Sequence, residues 1–101
     1  MKQHITGFQL NELEEEAYNT LLTNIYGEDD LFSEIDEEDV DINILITYLN
    51  NSPEVHGFHL FHIKRDTGIE WGLEMKTEAS VNSYRAEELI DVLWSAVKDI
   101  L

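Results

Sequence analysis

Three groups of side chains in this chain of 101 residues are of types that do chemistry. The first is Asp39, Asp41 and Asn43, oxygen donors at positions one, three and five of a calcium-loop pattern. Such a loop also needs glycine at position six, for its sharp turn, and a bidentate glutamate at position twelve. Those positions hold Ile44 and Asn50, so the pattern fails where the geometry is most demanding. The second group is His56, His59 and His62. Metal ligands must converge on one point. The surrounding residues read as a strand, in which His59 faces away from the other two. His56 and His62 then lie about 20 Å apart at ~3.3 Å per residue. The third group is the carboxylates, abundant enough for general acid–base work. None sits in an apolar frame that would hold one protonated at neutral pH. There is no glycine-rich phosphate loop and no G-x-S-x-G, and the serines and histidines show no triad spacing. The sequence therefore reads as a non-enzyme with no metal and no cofactor.

What remains is charge. The chain carries 22 acids against six bases, a net charge of −16. Residues 3–63 hold fourteen acids and no lysine or arginine, whereas residues 64–101 hold eight acids and five bases. The densest stretch is Glu28–Asp41, EDDLFSEIDEEDVD, in which nine of fourteen residues are carboxylates. Such a surface repels phosphate backbones and anionic lipid, which excludes direct nucleic-acid or membrane binding. It steers cationic proteins toward itself and speeds their association. Solubility alone explains acidity but not its segregation. There is no cysteine, hence no disulfide framework. The first ten residues, MKQHITGFQL, lack the apolar core of a signal peptide, and no apolar run approaches the ~20 residues of a membrane helix. These features predict a soluble, cytoplasmic protein.

The elements that must position this acidity are legible by period. Residues 3–10 suggest a short strand. A first helix follows, with Asn11 as N-cap and Glu14 completing a capping pattern. Leu13, Ala17, Leu21, Leu22 and Ile25 form its apolar stripe, and Gly27 is its C-terminal glycine. Residues 28–36 form an acidic connection, pinned to the core by Leu31, Phe32 and Ile35. A second helix runs from Asp36 or Glu37 to Asn50, with Ile42, Leu45, Ile46 and Leu49 inward. Carboxylates crowd the first turns of both helices, where the dipole favours them. Residues 69–75, IEWGLEM, alternate without error and place Ile69, Trp71, Leu73 and Met75 on one face. The run 56–64 pairs with them through a three-residue turn, Asp66-Thr67-Gly68. That turn sets Phe61 opposite Leu73, Ile63 opposite Trp71, His59 opposite Met75 and Lys64 opposite Glu70. It leaves Phe58 and Leu60 on the face away from the core, beside His62 and Gly72. A short third strand can follow through Val81. A long amphipathic helix runs from Ser83 or Tyr84 to the end, with Ala86, Leu89, Ile90, Leu93, Trp94, Val97 and Ile100 inward. The expected fold is a small single-domain α+β protein: two N-terminal helices, an antiparallel hairpin or three-stranded sheet, and the C-terminal helix across the Trp71 face.

On this scaffold the predicted function is a non-enzymatic acidic inhibitor that blocks a basic nucleic-acid-binding protein or nuclease, as an immunity protein blocks its toxin. A phage anti-defence protein that mimics DNA is the alternative, and an acidic adaptor with no electrostatic role is a further one. The predicted partner-contact residues are Glu12, Glu15 and Glu16 on the first helix, then Glu28, Asp29, Asp30, Phe32, Glu34, Asp36, Glu37, Glu38, Asp39 and Asp41 along the acidic crest. Phe32 or Tyr26 is the expected apolar anchor, since affinity concentrates in a few desolvated contacts.

Overall fold

The alternation in residues 69–75 settles the centre of the molecule. A computed structural model, which describes residues 2–27 and 34–101, shows them inside β2 (Gly68–Thr77). It lies between β1 (Val55–Arg65) and β3 (Val81–Ala86) in an antiparallel sheet of order β1-β2-β3. The helices are α1 (Gly7–Leu10), α2 (Glu15–Tyr26), α3 (Ile42–Asn51) and α4 (Leu89–Ile100). The α+β class, the sheet and the C-terminal helix are as the sequence predicts. The core joins Leu73 and Met75 of β2 to Leu21, Leu45 and Leu49 of α2 and α3 and to Ile90, Val92, Leu93, Trp94, Ala96 and Val97 of α4. α4 lies against β2 and β3, and α3 lies beside it against β1.

The hairpin register corrects the expected one by a single residue. Arg65 pairs with Gly68, so the loop is only Asp66-Thr67. Gly68 takes φ 136°, a conformation that side chains disfavour. The slip exchanges the faces of β1. Phe58 now opposes Met75 and Leu60 opposes Leu73, so both pack against the core, while His62 opposes Trp71 at the exposed end of the same face. Phe61 opposes Gly72, Ile63 opposes Glu70 and His59 opposes Glu74 on the outer face. Lys64 lies opposite Ile69, and Glu70 is paired instead with Arg65, Nε to Oε2 2.6 Å. The reason lies in β1 itself. It carries apolar residues on both faces, so its own pattern does not choose.

The gap expected at Gly72 is filled. A Cβ built there would lie 3.1 Å from Cδ2 of Phe61 and closer still to Cε2 and Cζ. The ring rests on the glycine. Gly72→Ala is therefore expected to push Phe61 outward and cost about 1–2 kcal/mol, the lower range of overpacking. In the Phe61→Ala background the same change costs nearly nothing, because the clash is gone. Urea denaturation of the four proteins checks this; equal costs in both backgrounds would refute the contact.

Other boundaries shift for local reasons. Residues 7–10 are helix α1, not strand. Thr6 caps it by accepting from the Gln9 N–H (3.2 Å), and the Gln9 side chain accepts from the Thr6 N–H (2.9 Å). This reciprocal box satisfies two helix-end donors. Only His4 keeps a strand-like bridge, to Asp41. α2 starts after Glu14, which makes no side-chain cap, so Asn11 is not its N-cap. Gly27 does end α2, at φ 82°. The predicted second helix divides into a one-turn 3-10 helix, Glu37–Asp39, and α3, which Asp41 caps by accepting from the Ile44 N–H at 2.9 Å. Residues 81–86 are strand, and α4 begins at Leu89 rather than Ser83 or Tyr84. Ile35 is buried as expected. Leu31 and Phe32 lie outside the described residues. Among the described residues no helix is long and apolar enough to cross a membrane.

Candidate functional site

The part of the acidic crest among the described residues, 34–41, is held from both sides. On one side the extended N-terminus pairs with its end: the Ile5 N–H donates to Val40 O (3.0 Å) and the Ile42 N–H to Gln3 O (3.1 Å). On the other side two hydroxyls of α2 receive the backbone of Ile35 and Asp36. Tyr18 accepts from the Ile35 N–H (2.7 Å) and Tyr26 from the Asp36 N–H (3.2 Å). These tyrosines are eight residues apart, about 12 Å along one helix face. Ile35 and Val40 are buried and fasten the segment to the core. Between them Asp36, Glu38 and Asp39 are exposed and Glu37 is half-buried; Glu34, just before, is also exposed.

The carboxylates then separate into two sets. Four are engaged within the chain. Asp36 accepts from the Glu38 N–H (3.0 Å) and Asp41 caps α3. Asp39 accepts from the Tyr26 hydroxyl (2.5 Å), and Glu12 accepts from Lys98 Nζ (2.6 Å). Glu15, Glu16, Glu34, Glu37 and Glu38 make no side-chain ion pair or hydrogen bond among the described residues, apart from the favourable dipole of α2 at Glu15 and Glu16. Glu28, Asp29, Asp30 and Phe32 lie outside the described residues. The Tyr26 hydroxyl donates to Asp39 and accepts from the Asp36 N–H, so it braces the crest from within.

A large apolar side chain outside the sequence-based candidates stands exposed. Phe8 on α1 is 90% exposed. Its neighbour Gly7 lies against the crest, where an added Cβ would sit 4.0 Å from Glu37 Oε1. Leu10 turns inward and is buried, and Gln9 donates through Nε2 to Asp91 (2.7 Å), which ties α1 to α4. The T-x-x-Q spacing of Thr6 and Gln9 was the available signal. Reading it as a cap makes Phe8 a first-turn residue of a helix too short to bury it.

Carboxylates also gather away from the crest. A groove of about 470 Å³ between the start of α2 and the end of α3 is lined by Glu14, Glu16, Glu54 and Tyr48, with no lysine or arginine. A second, of about 440 Å³, adjoins it at Glu54 and includes Glu78, Asp99, His56 and Met75. Among the described residues none that is polar or charged is buried, and no group of three or more His, Asp or Glu could hold a metal ion. His59 lies near Glu74, Nε2 to Oε2 3.7 Å, and against the Phe61 ring, centroids 5.6 Å apart.

The acids act on the tyrosines near them. Burial and then the Asp99 carboxylate, which accepts from its hydroxyl at 2.5 Å, push Tyr84 well above its ordinary value of 10.0. Burial and then Asp39 raise Tyr26, and burial and then Glu54 raise Tyr48. A folded value above the unfolded one gives stability that is whole below the unfolded value and is lost as pH rises toward the folded one. Stability should therefore fall from about pH 10 upward, as the unfolded chain ionises first. Tyr84→Phe should flatten that fall, measured by thermal melts between about pH 8 and pH 11. An unchanged slope in the variant would remove Tyr84 from the account.

The chain matches no protein-family model, and neither a curated protein nor a solved structure matches it.

Proposed function

We propose that this chain is a non-enzymatic inhibitor that binds and blocks a basic nucleic-acid-binding protein or nuclease, as an immunity protein blocks a nuclease toxin, and that it acts in the cytoplasm. One observation carries the reading: carboxylates with no side-chain partner among the described residues stand on a braced segment beside an almost fully exposed phenylalanine. Packing them there raises the free energy of the isolated fold through like-charge repulsion. A partner's guanidinium and ammonium groups relieve that repulsion. Phe8 supplies the desolvated centre that charge pairs lack, since a large exposed aromatic is a typical interface anchor. The brace keeps the acids in place before the partner arrives, which limits the ordering cost of binding. The lack of cysteine accords with a reducing compartment.

The test starts with the full chain as bait in an extract of its host. The captured partner is then purified and its nuclease or DNA-binding activity assayed with and without this protein. The expected result is a basic partner whose activity is blocked. Association should slow by about tenfold or more from ~0.1 M to ~1 M salt as the Debye length shrinks from ~10 Å to ~3 Å. A partner that keeps full activity in the complex, or an association rate indifferent to salt, refutes the reading.

A further inference from the structure

Among the described residues β1 has a strand on only one side, because the sheet order places it at the edge. Its run Val55–Ile63 contains no Asp, Glu, Lys, Arg or Pro. Folded proteins normally guard a long edge with charge, proline or a bulge. The one irregularity here lies at Val55/Gly57, at one end of the strand. His56, Gly57, His59 and His62 along it are exposed. Charge is confined to the ends. Glu54 precedes the strand, and Lys64 and Arg65 finish it. Arg65 is held by Glu70, whereas the Lys64 side chain makes no ion pair among the described residues.

From this pattern we infer that β1 pairs antiparallel with β1 of a second copy, making one continuous six-stranded sheet. The strand is negative at its start, neutral through its length and positive at its finish. Only an antiparallel copy meets it with complementary ends, and a two-fold axis at His59 does so twice. That register sets Leu60 against the second copy's Phe58, Ile63 against its Val55 and His59 against its His59. Leu60 with Phe58 and Ile63 with Val55 are apolar pairs, the kind that stabilises adjacent strands. Lys64 at each positive end meets the other copy's Glu54. Elsewhere two copies of net charge −16 repel, so the neutral edge is where they approach at least cost. A single strand edge buries less than the ~800 Å² per partner of a standard interface, so the dissociation constant falls in the range of about 10–100 µM.

The dimer and the proposed inhibitor surface are separable. Neither Glu54 nor Lys64 is among the proposed partner contacts, and the assay needs no partner. Salt also acts in opposite senses: it screens the repulsion between copies and tightens the dimer, whereas it weakens capture of a basic protein.

Sedimentation equilibrium of the full chain up to about 1 mM, with circular dichroism as the fold control, tests the inference. Glu54→Lys and Lys64→Glu should each raise the dissociation constant about tenfold, because each places like charges at both contacts. The double exchange keeps the wild-type net charge and should restore the dimer. Within one copy the two residues are about 33 Å apart at ~3.3 Å per residue, so their coupling can only pass between copies. His59→Lys, at an exposed position, should also dissociate the dimer by the guard that edges usually carry. A chain that stays monomeric leaves the edge to a foreign strand and overturns the inference. So does a dimer that ignores all three substitutions, or a double exchange that fails to restore it.

Discussion

Reversing Glu34, Glu37 and Glu38 to lysine should weaken binding of the captured partner by about a hundredfold to a thousandfold. Each reversal exchanges an attraction for a repulsion, worth about 1–1.5 kcal/mol where water is partly excluded, and about 1.4 kcal/mol is a tenfold change. The choice of residues matters. Asp36 and Asp39 are equally acidic neighbours, but Asp36 caps a turn and Asp39 holds the Tyr26 hydroxyl. Changing them costs about 1 kcal/mol of stability for the lost cap alone, which would confuse loss of contact with loss of fold. Glu34, Glu37 and Glu38 have no such side-chain bonds among the described residues, so the triple variant should melt at or slightly above the wild-type temperature. The repulsion it relieves is the reason for any rise. Phe8→Ala beside it should cost a further ~2 kcal/mol of affinity and almost no stability, as expected of an exposed anchor. Titration calorimetry and a thermal melt read the two effects apart. Affinity within twofold of wild type in the triple variant would end the claim that the crest is the contact.

The largest stability effect should come from Trp94. It is the largest fully buried side chain and is 1% exposed, in the middle of α4. Trp94→Ala should cost about 3–5 kcal/mol, through lost transfer energy and the cavity left behind. A domain of this size holds only about 5–15 kcal/mol in all. At about 4–8 °C per kcal/mol the melting temperature should fall by roughly 12–40 °C. Trp94→Phe tells packing from polarity. Among the described residues the buried indole Nε1 has no hydrogen-bond partner. Leaving a donor unsatisfied costs about 1–3 kcal/mol, so removing it offsets much of the lost volume. The phenylalanine variant should therefore sit within about 2 kcal/mol of wild type, from denaturant midpoints at constant slope. If alanine and phenylalanine cost the same, either the indole donor finds a partner in solution or the cavity collapses.

Much of the scaffold was legible because burial leaves a period. Leu45 and Leu49, and Ile90, Leu93, Trp94 and Val97, recur at helical spacing and are buried. Residues 69–75 alternate, and their inward members Leu73 and Met75 are buried too. Less was legible of the site. Charge counting found the crest but could not divide it. Asp36, Glu37, Glu38 and Asp39 are alike in sequence, and only the approach of Tyr26 from α2 makes Asp39 different from Glu38. The short helix over residues 7–10 was lost to β-propensity at Ile5 and Thr6, although its capping box was present in the sequence.

The sequence by itself determined the class of fold, the inward stripes of α3 and α4 and the concentration of unopposed acid in residues 3–63, because each depends on residues close together in the chain. Tertiary structure decided the pairing offset of β1 on β2, the face that Phe61 takes and the exposure of Phe8. It also decided which carboxylates are spoken for. A strand's period of two is the same for neighbouring registers, and β1 is apolar on both faces. The choice fell to contacts between distant residues: Phe61 over Gly72, Phe58 and Leu60 against the core, and the crest between the N-terminus and α2.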